Sequence, residues 1–453
     1  MTTPYDIAIV GGGIAGLAIA EIFARSGHSV ALVEKSDKLC QEASASQHGW
    51  FHFGSLYSIF PQNQFLRTMV GGVEDLLKYY AGYEGMNIVV GSDGRLEFPQ
   101  RNEVWFRDEP IEYIVTARND PDFDIWRFDG VKNYGRKLFF LLTWEMAIKQ
   151  FISRHQRFWK HDWRNVGMAS QWIPRAGWAD YSRQVISKPD LEDVALDVDT
   201  HFRIVGYDRP MRATAIITDL VRGFLGAGGE IITGMAVQTI EKNGAVRFLR
   251  DAGGRRIAAR RVVVAAGKWL GRFLPESDQV KVVASPLLVV YPAVTGRHFV
   301  RMTPFVEKSV NHIWHEVEGR RYSLIGGGYF ADPDDADGVA RATQKLKEMA
   351  TRVFPRMAEA TLVKSYLGYK AEIVPEAGER NYQYFMRQVD EGVWVAVPGK
   401  FSLAFSLAVN LFRRMIGRKP EKTIRLAPQA AATPYVGLTR HAEVVSNMIL
   451  SRQ

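Results

Sequence analysis

The sequence predicts an α/β fold, and three observations support this prediction. The N-terminal segment 7–34 has the pattern of a strand, a glycine-rich turn, a helix and a second strand, which begins a parallel βαβ unit. Further helix–turn–strand and buried-strand patterns follow at residues 212–232 and 262–264. With 453 residues, the chain is long enough for two or three domain-sized units.

The first unit consists of consecutive short pieces. Residues 7–10 (IAIV) form a β-branched run typical of a buried parallel strand, and residues 11–16 (GGGIAG) fit G-x-G-x-x-G. Residues 17–26 have helical periodicity, residues 30–33 (VALV) predict a second buried strand, and Glu34 follows it. This order predicts a dinucleotide site, although the motif does not separate NAD from FAD.

Each glycine of the turn has a physical task. Gly11 permits the tight turn, Gly13 lets backbone N–H groups approach a pyrophosphate, and Gly16 lets the helix pack closely on the strand. The pyrophosphate would lie at the helix N-terminus, where unpaired N–H groups and the helix dipole favour negative charge. Glu34 is placed to accept a hydrogen bond from a ribose hydroxyl.

The rest of the chain predicts further elements. In order, these are a helix at 64–84, an aromatic-rich stretch at 95–205, a helix from Arg212, strands from Glu230 and at 262–264, antiparallel strands in 285–294 and 312–330, a helix at 338–352, and a strand–turn–helix unit at 392–417. The glycine run at 325–330 is not followed by a helix, so we interpret it as a strand with close backbone contacts.

Composition narrows the class of protein. Hydrophobic residues make up 47% and charged residues 24% of the chain, as in ordinary globular proteins. Cys40 is the only cysteine, which excludes an intramolecular disulfide and a cysteine-based zinc cluster, and no metal site is predicted. No signal-peptide pattern is visible, and the apolar runs 138–142 and 401–412 are too short to span a bilayer. We therefore expect a cytoplasmic protein.

The net charge of +9 raises the question of acidic partners. The arginines are scattered and no nucleic-acid motif is present, so we expect a basic enzyme with small anionic ligands and no nucleic-acid partner. Segment 134–165 mixes bases with Phe and Trp, as helices at a membrane surface do. A helix that covers the core with a basic outer face explains this segment at least as well. The sequence leaves the oligomeric state open.

Three motifs in this order resemble the D-amino-acid-oxidase-like (DAO) flavoprotein superfamily. They are the N-terminal fingerprint ending in Glu34, the helix–turn–strand unit ending in MAVQTIEKNG, and the block RRVVVAAGKW. VWVAVPGKFSLAFS is similar to the last flavin loop of the family, but it reads Gly-Lys-Phe where further glycines are usual. The superfamily includes glycine and sarcosine oxidases, glycerol-3-phosphate dehydrogenases and 2-hydroxyglutarate oxidases.

The resemblance implies FAD as the cofactor and a division into two domains. A Rossmann-like FAD-binding domain would be assembled from the discontinuous segments 1–94, 206–275 and 365–453. A β-rich α+β substrate domain would come from segments 95–205 and 276–364.

The resemblance also implies cofactor contacts. Val237 would meet the adenine through its backbone, Gly267 would lie beside the pyrophosphate, and the Gly399–Leu403 loop would offer backbone N–H groups to the flavin. Lys400 would add positive charge where reduced flavin is negative. The full predicted set is Gly11, Gly13, Ile14, Ala15, Gly16, Glu34, Lys35, Ser44, Ser46, Gln47, Val237, Ala266, Gly267, Gly399, Lys400, Phe401, Ser402 and Leu403.

Four residues are candidates for catalysis. SQHGWFHFGSLYS is similar to the His-x-Gly segment of the 2-hydroxyglutarate and glycerol-3-phosphate enzymes, which implies His52 as a base or a covalent flavin attachment point. His312 and His315 lie on a predicted strand with Trp314 between them, and we expect both histidines on one face. Lys370 is at the position where family members bind a substrate carboxylate. Tyr329 and Arg380 are weaker candidates.

These residues predict hydride transfer from a C–H bond of a small anionic hydroxy acid or related alcohol to flavin, and then to oxygen or another acceptor. An alcohol needs a base for its hydroxyl proton, and histidine is suited to this task. Two alternatives stay open: an amino-acid or secondary-amine oxidase of the same superfamily, and a peripheral membrane dehydrogenase that passes electrons to quinone. We expect FAD to be bound non-covalently.

Overall fold

The computed structural model describes residues 3–59, 63–116, 134–159, 161–164, 186–274, 279–304, 306–374 and 383–451. Arg380, one of the weaker candidates, lies outside the described residues. The strands are β1 (Tyr5–Val10), β2 (Val30–Val33), β3 (Trp50–Phe51), β4 (Val89–Val90), β5 (Leu96–Glu97), β6 (Glu112–Thr116), β7 (Ile186–Ser187), β8 (His201–Val205), β9 (Arg209–Pro210), β10 (Glu230–Ile232), β11 (Val237–Asn243), β12 (Val246–Asp251), β13 (Arg256–Val264), β14 (Gln279–Tyr291), β15 (Phe299–Met302), β16 (Val310–Val317), β17 (Arg320–Gly327), β18 (Leu362–Val374), β19 (Phe385–Asp390) and β20 (Val393–Val397). The α-helices are α1 (Ile14–Arg25), α2 (Asn63–Tyr79), α3 (Tyr134–Trp159), α4 (Ala213–Gly226), α5 (Ala336–Val353), α6 (Ala404–Ile416), α7 (Gln429–Ala432) and α8 (Arg440–Leu450).

The first sheet has the strand order β10-β2-β1-β13-β12-β11, with β20 on β13 and β19 on β20. Strand β1 pairs in parallel with both β2 and β13, as the buried β-branched runs predict. Ile7 and Ile9 pack into the core with α1 and α6, whereas Ala8 and Val10 face the core on the other side. This alternation places helices on one face and the β11–β12 hairpin region on the other.

The second sheet has the order β18-β14-β17-β16-β15-β6-β8-β7 and is antiparallel except for the β15–β6 pair. Leu288 and Ile325 pack against α5, whereas Leu287 and Leu324 pack against α8. The glycine run at 325–330 begins inside β17, which confirms the strand interpretation. A mixed sheet with a parallel, helix-covered centre, together with a largely antiparallel second sheet, confirms the predicted α/β class with a second β-rich unit.

The predicted helices form close to their expected bounds. The helix expected at 64–84 is α2, which ends earlier, at Tyr79, and the helix expected at 338–352 is α5. The predicted domain boundary at residue 365 lies inside β18, which pairs with β14 along its whole length. We therefore propose that the boundary follows β18.

Helix α3 lies within the basic aromatic segment 134–165. Trp144 and Phe151 of α3 are buried with Tyr113 of β6 in one core cluster, so part of this helix covers the core. Leu142 and Met146 are exposed on its outer face. Within the part of the chain that the structure describes, no helix combines the length and apolar character needed to cross a bilayer.

Candidate functional site

A cavity of about 700 Å³ lies where the two sheets meet. Val10 and Val33, the last residues of β1 and β2, line one side of it, and Ser285 of β14 and Lys370 of β18 line the other. The carboxyl ends of parallel strands are the usual place for a ligand in such sheets. We name two parts of the cavity: the glycine-loop end (Gly11, Gly13, Glu34, Val237 and Gly267) and the His52 end (Trp50, His52, Tyr57, Lys370 and Lys400).

The glycine loop leaves no room for a side chain at Gly11 or Gly16. Gly11 has a φ of +103°, and a Cβ atom there would lie 2.7 Å from the carbonyl oxygen of Ala265. A Cβ atom on Gly16 would overlap the carbonyl oxygen of Gly11, because α1 packs directly on the turn. Gly13 caps α1, and no acidic residue lies in the first turn of this helix. The helix N-terminus therefore presents an uncompensated positive dipole to the cavity, as a pyrophosphate requires.

Glu34 is a buried carboxylate at the same end of the cavity. Its Oε2 accepts the N–H of Gly12 at 2.7 Å, and its Oε1 accepts the N–H of Ser36 at 2.9 Å. Each oxygen keeps a second lone pair, and the residue lines the cavity. The carboxylate thus holds the loop and still has acceptor capacity for ribose hydroxyls. The loop, the helix N-terminus and Glu34 together fit an adenine dinucleotide.

A cationic rim surrounds this end, and the sequence did not predict most of it. Lys35 Nζ lies 2.6 Å and Lys268 Nζ 3.0 Å from the carboxylate of Glu42. Lys35 also lies 4.6 Å, and Arg272 5.1 Å, from the ring centre of Trp269. The rim therefore favours anionic groups at the opening of the cavity.

Most of the predicted cofactor-binding residues line one cavity. Besides the residues named above, the structure brings there Ile14, Ala15, Ser44, Ser46, Gln47, Ala266, Gly399 and Phe401. Ser44 Oγ accepts the N–H of Ile14 at 3.0 Å and so fixes the start of α1. Gly16, Ser402 and Leu403 do not line the cavity, and Leu403 is buried beside Tyr57 and Met69.

The predicted flavin loop after β20 is partly closed on itself. Gly399 has a φ of +63°, and the loop then forms a short 3₁₀ turn at Phe401–Leu403 before α6. Lys400 donates its N–H to the carbonyl of Pro398 at 2.6 Å, and Leu403 donates its N–H to the carbonyl of Lys400. The expectation that the whole Gly399–Leu403 backbone offers N–H groups is therefore wrong for these two residues.

His52, a predicted catalytic residue, lies in the cavity wall next to a buried carboxylate, that of Asp208. Its Nδ1 lies 3.5 Å from Oδ2 of Asp208, and its ring lies 4.4 Å from that of Trp50. The pKa of His52 is lowered to about 4, mainly by burial and in addition by the cations Lys400 and Lys370, while Asp208 acts in the opposite direction. His52 is therefore neutral at pH 7 and able to accept a proton.

Asp208 is fully buried and collects several hydrogen bonds. Burial opposes its ionisation, but contacts with His52, Tyr113 and the Ser55 backbone outweigh burial and hold its pKa below the usual value. Sequence reasoning missed Asp208, because it lies 156 positions from His52 in the stretch GYDRP, where no motif indicates a partner.

The predictions for His312 and His315 are wrong. The two residues are three positions apart in β16, so their side chains point to opposite faces of the sheet and not to one face. His312 is buried between Phe299 and Phe354, and its ring nitrogens bond to the carbonyl of Arg297 and the hydroxyl of Ser323, both at 2.6 Å. His312 therefore does not line the cavity.

His315 is also part of the packing rather than of the cavity wall. Its Nε2 lies 3.2 Å from the carbonyl oxygen of His48, and its ring lies 4.5 Å from that of His441. Its imidazole packs directly against Gly49, where a Cβ atom would overlap the ring. Tyr329, a weaker candidate, bonds to the carbonyl of Glu307 and does not line the cavity either.

Comparisons with known proteins agree with this geometry. A family model described as DAO, FAD-dependent oxidoreductase, matches residues 6–400. A dithionite-reduced L-α-glycerophosphate oxidase from Mycoplasma pneumoniae with FAD bound has a similar structure, with a TM-score of 0.61, 16% identity and coverage of 93% of this chain and 97% of that one. No curated protein has a sequence that matches significantly.

Two further solved structures share the fold. Glycine oxidase from Geobacillus kaustophilus has a TM-score of 0.55 and 18% identity, and covers 94% of this chain and 98% of its own. L-proline dehydrogenase from P. horikoshii has a TM-score of 0.60 and 13% identity, with coverage of 93% and 96%. At such low identities the likeness is one of fold.

Proposed function

Because the chain belongs to the DAO family of FAD-dependent oxidoreductases, we propose that it oxidises a small anionic hydroxy acid or a related alcohol. FAD, when bound, supplies the acceptor for a hydride from the C–H bond of the substrate. Oxygen or another acceptor would then reoxidise the cofactor. The protein's own residues bind the two molecules, orient them and remove the hydroxyl proton.

The observation that carries the proposal is the pairing of His52 with Asp208 at the cavity wall. Oxidation of an alcohol to a carbonyl releases one hydride from carbon and one proton from oxygen. A neutral imidazole on the cavity wall has a lone pair that can take that proton. Burial lowers the pKa of His52, so the imidazolium that forms needs the counter-charge of Asp208. The buried carboxylate of Asp208 then lies opposite the imidazolium that forms.

The charges around the cavity support an anionic substrate. Lys370 and Lys400 line the His52 end, close enough to His52 to lower its pKa. The carboxylates among the described lining residues are Glu34 and Glu42, and both belong to the glycine-loop end or its rim. A substrate carboxylate would thus find paired charge at the His52 end, whereas a substrate ammonium would find no carboxylate on its wall.

The cofactor would be held mainly by backbone groups. We propose that Gly13 and the N-terminus of α1 bind the pyrophosphate and that Glu34 binds the ribose of the adenosine. Ser46 and Gln47 would lie along the path to the flavin, and Lys400 beside it. No covalent attachment is needed in this arrangement.

The test compares substrates that share a carbon skeleton. The purified protein is mixed anaerobically with matched 2-hydroxy acids, 2-amino acids, N-methyl amino acids and polyols, and flavin bleaching is recorded. We expect fastest bleaching with a hydroxy acid or a related alcohol. Preferential bleaching by an amine contradicts the proposal and supports the amine-oxidase alternative. Acid precipitation should leave FAD in the supernatant, whereas colour in the pellet would show a covalent bond.

A further inference from the structure

We propose that Asp208 is a positioning residue that fixes the tautomer and orientation of His52, so that the lone pair of Nε2 faces the substrate. The proposal rests on the proposed function, in which His52 is the base, and adds a residue to it. It follows from the set of groups around one buried carboxylate.

The Oδ1 atom of Asp208 accepts backbone N–H groups of the segment that carries His52. Phe53 donates at 2.9 Å, and Gly54 and Ser55 both donate at 3.1 Å. Three consecutive N–H groups therefore hold one oxygen of the carboxylate in place. The other oxygen, Oδ2, is left for side chains.

The Oδ2 atom faces three side chains. Trp50 donates its Nε1–H at 3.0 Å, Tyr113 donates its hydroxyl at 2.7 Å, and His52 Nδ1 lies 3.5 Å away. Because Trp50 and Tyr113 are both donors, Oδ2 acts only as an acceptor. An unprotonated Nδ1 would place two lone pairs against each other.

The proton of neutral His52 is therefore on Nδ1, and its lone pair is on Nε2. Nδ1 is the ring nitrogen turned away from solvent, whereas the ring lines the cavity. At 3.5 Å the Nδ1–Oδ2 contact does not meet hydrogen-bond geometry, so it is a close electrostatic contact that becomes an ion pair once His52 takes up a proton. Asp208 thus orients the base before the reaction and provides the counter-charge after it.

The charged and titratable groups around His52 make this counter-charge necessary. They are Asp208 itself, Lys370 from β18, Lys400 from the loop after β20, Tyr57 beside the ring, and Tyr113, His155 and Arg209 around Asp208. Both lysines oppose protonation of His52, and Asp208 is the group that favours it. Without this carboxylate, an imidazolium beside two cations would be poorly stabilised.

The test uses Asp208→Asn, with Tyr113→Phe as the matched control. Asparagine keeps an oxygen for the three backbone N–H groups but removes the charge. Tyr113→Phe removes one donor to Oδ2 and keeps the charge. The anaerobic flavin reduction rate of the FAD-loaded enzymes is measured against pH, with the hydroxy acid that bleaches the wild type fastest.

We expect Asp208→Asn to lower the plateau rate roughly 10²–10⁴-fold, with FAD still bound. The acid limb of its pH profile should move to lower pH, because Asp208 raises the pKa of His52. Tyr113→Phe removes a donor to Oδ2 but keeps the charge of Asp208, so it should shift the limb less and lower the rate less than Asp208→Asn does. Asp208→Glu should recover part of the rate.

Two results would overturn the assignment. One is an Asp208→Asn enzyme with the wild-type rate. The other is a slower enzyme whose acid limb has not moved, which would leave Asp208 a purely structural role. The two proposals fail separately. If His52→Gln retains the wild-type rate, His52 is not the base and the proposed function fails. If His52→Gln is slow but Asp208→Asn has the wild-type rate, only the role of Asp208 is refuted.

A second measurement needs no change at Asp208. Nitrogen NMR of the holoenzyme labelled with ¹⁵N-histidine reports the protonated ring nitrogen, and the spectrum of His52→Gln identifies the signals of His52. We expect a proton on Nδ1 and an unprotonated Nε2 near pH 7. The opposite tautomer would overturn the proposal even if Asp208→Asn fails to fold.

Discussion

The two ends of the cavity are built from different kinds of chain segment. The glycine-loop end comes mostly from one local stretch, in which Gly11, Gly13 and Glu34 lie within 24 residues, and it acts largely through backbone groups and a helix terminus. The His52 end brings together side chains from β3, β18 and the loop after β20. Binding by backbone geometry and chemistry by assembled side chains are therefore separated within one cavity.

This difference means that substitutions should separate cofactor content from rate. On the proposed function, a change at the glycine-loop end would remove contacts that hold the cofactor in all states. A change at the His52 end would remove groups that act on the substrate or on its proton.

The largest effect is expected at His52. His52→Gln removes the base and keeps a polar side chain, so the anaerobic flavin reduction rate should fall roughly 10²–10⁴-fold while FAD content stays normal. His312→Gln is the control, because His312 is buried between Phe299 and Phe354, away from the cavity. If both variants slow the reaction equally, the rate does not depend on the His52 end in particular.

The next effect is expected at Glu34. Glu34→Gln replaces an anionic acceptor of the Gly12 and Ser36 N–H groups by a neutral amide. A hydrogen bond to a charged group contributes roughly 1.5–3 kcal/mol, so FAD should bind about ten- to a hundredfold more weakly. Titration of the apoprotein with FAD measures this affinity. Glu42→Gln, which changes a rim carboxylate, should have a smaller effect, and equal effects would remove Glu34 from the site.

The same contrast explains how much the sequence predicts. The β1–α1–β2 unit was predicted correctly, and Glu34 lies on the cavity wall, because the pattern is local and Gly11 and Gly16 have backbone reasons to be glycine. The role of Glu34 toward the ribose stays a prediction. The pairing of His52 with Asp208 depends on how distant segments pack, and no spacing encodes it. His312 and His315 were misplaced because a histidine satisfied in a core has the same sequence signal as one in a site.

The long insertion shows a second limit of the sequence. Its aromatic residues gave no period that separates strand from helix, yet segment 95–205 supplies β6, β8 and α3 to the second sheet and its cover. Trp144 and Phe151 are aromatic because they fill the space over Tyr113. Their function is packing, which composition alone does not distinguish from membrane contact.

A smaller effect is expected at Lys370. Lys370→Met removes a cation from the wall of the His52 end, so an anionic substrate should bind more weakly. For a half-buried pair we expect roughly 1 kcal/mol, which is about a fivefold rise in the Kd obtained from the substrate dependence of flavin reduction. Lys364→Met is the control, since Lys364 is exposed on the same strand and does not line the cavity. An unchanged Kd would assign the carboxylate to another group.

The last prediction concerns stability at low pH. Acid should destabilise first the region around His48, which packs next to the His52 end. His48, His315 and His441 are packed together there, and burial lowers the pKa of His315 to about 3 and the pKa values of His48 and His441 well below the usual range. In the unfolded chain histidine titrates near 6.5. The folded form therefore excludes protons that the unfolded form takes up.

The direction in which stability changes with pH follows from this difference in pKa between the folded and unfolded states. As the pH falls below about 6.5, the unfolded state gains protons and each buried histidine costs about 1.4 kcal/mol per pH unit until its folded pKa is reached. Asp75 acts in the opposite direction, because burial raises its pKa to about 6, but its partners are Ser406 and Arg413 and not these histidines. Between pH 7.5 and 5.5, hydrogen exchange corrected for intrinsic rates should therefore rise more in peptides covering 46–58 than in peptides covering 7–34. His441→Asn should reduce the slope of the free energy of unfolding against pH by about one proton. An unchanged slope would show that protonation of His441 does not cause the loss of stability at low pH.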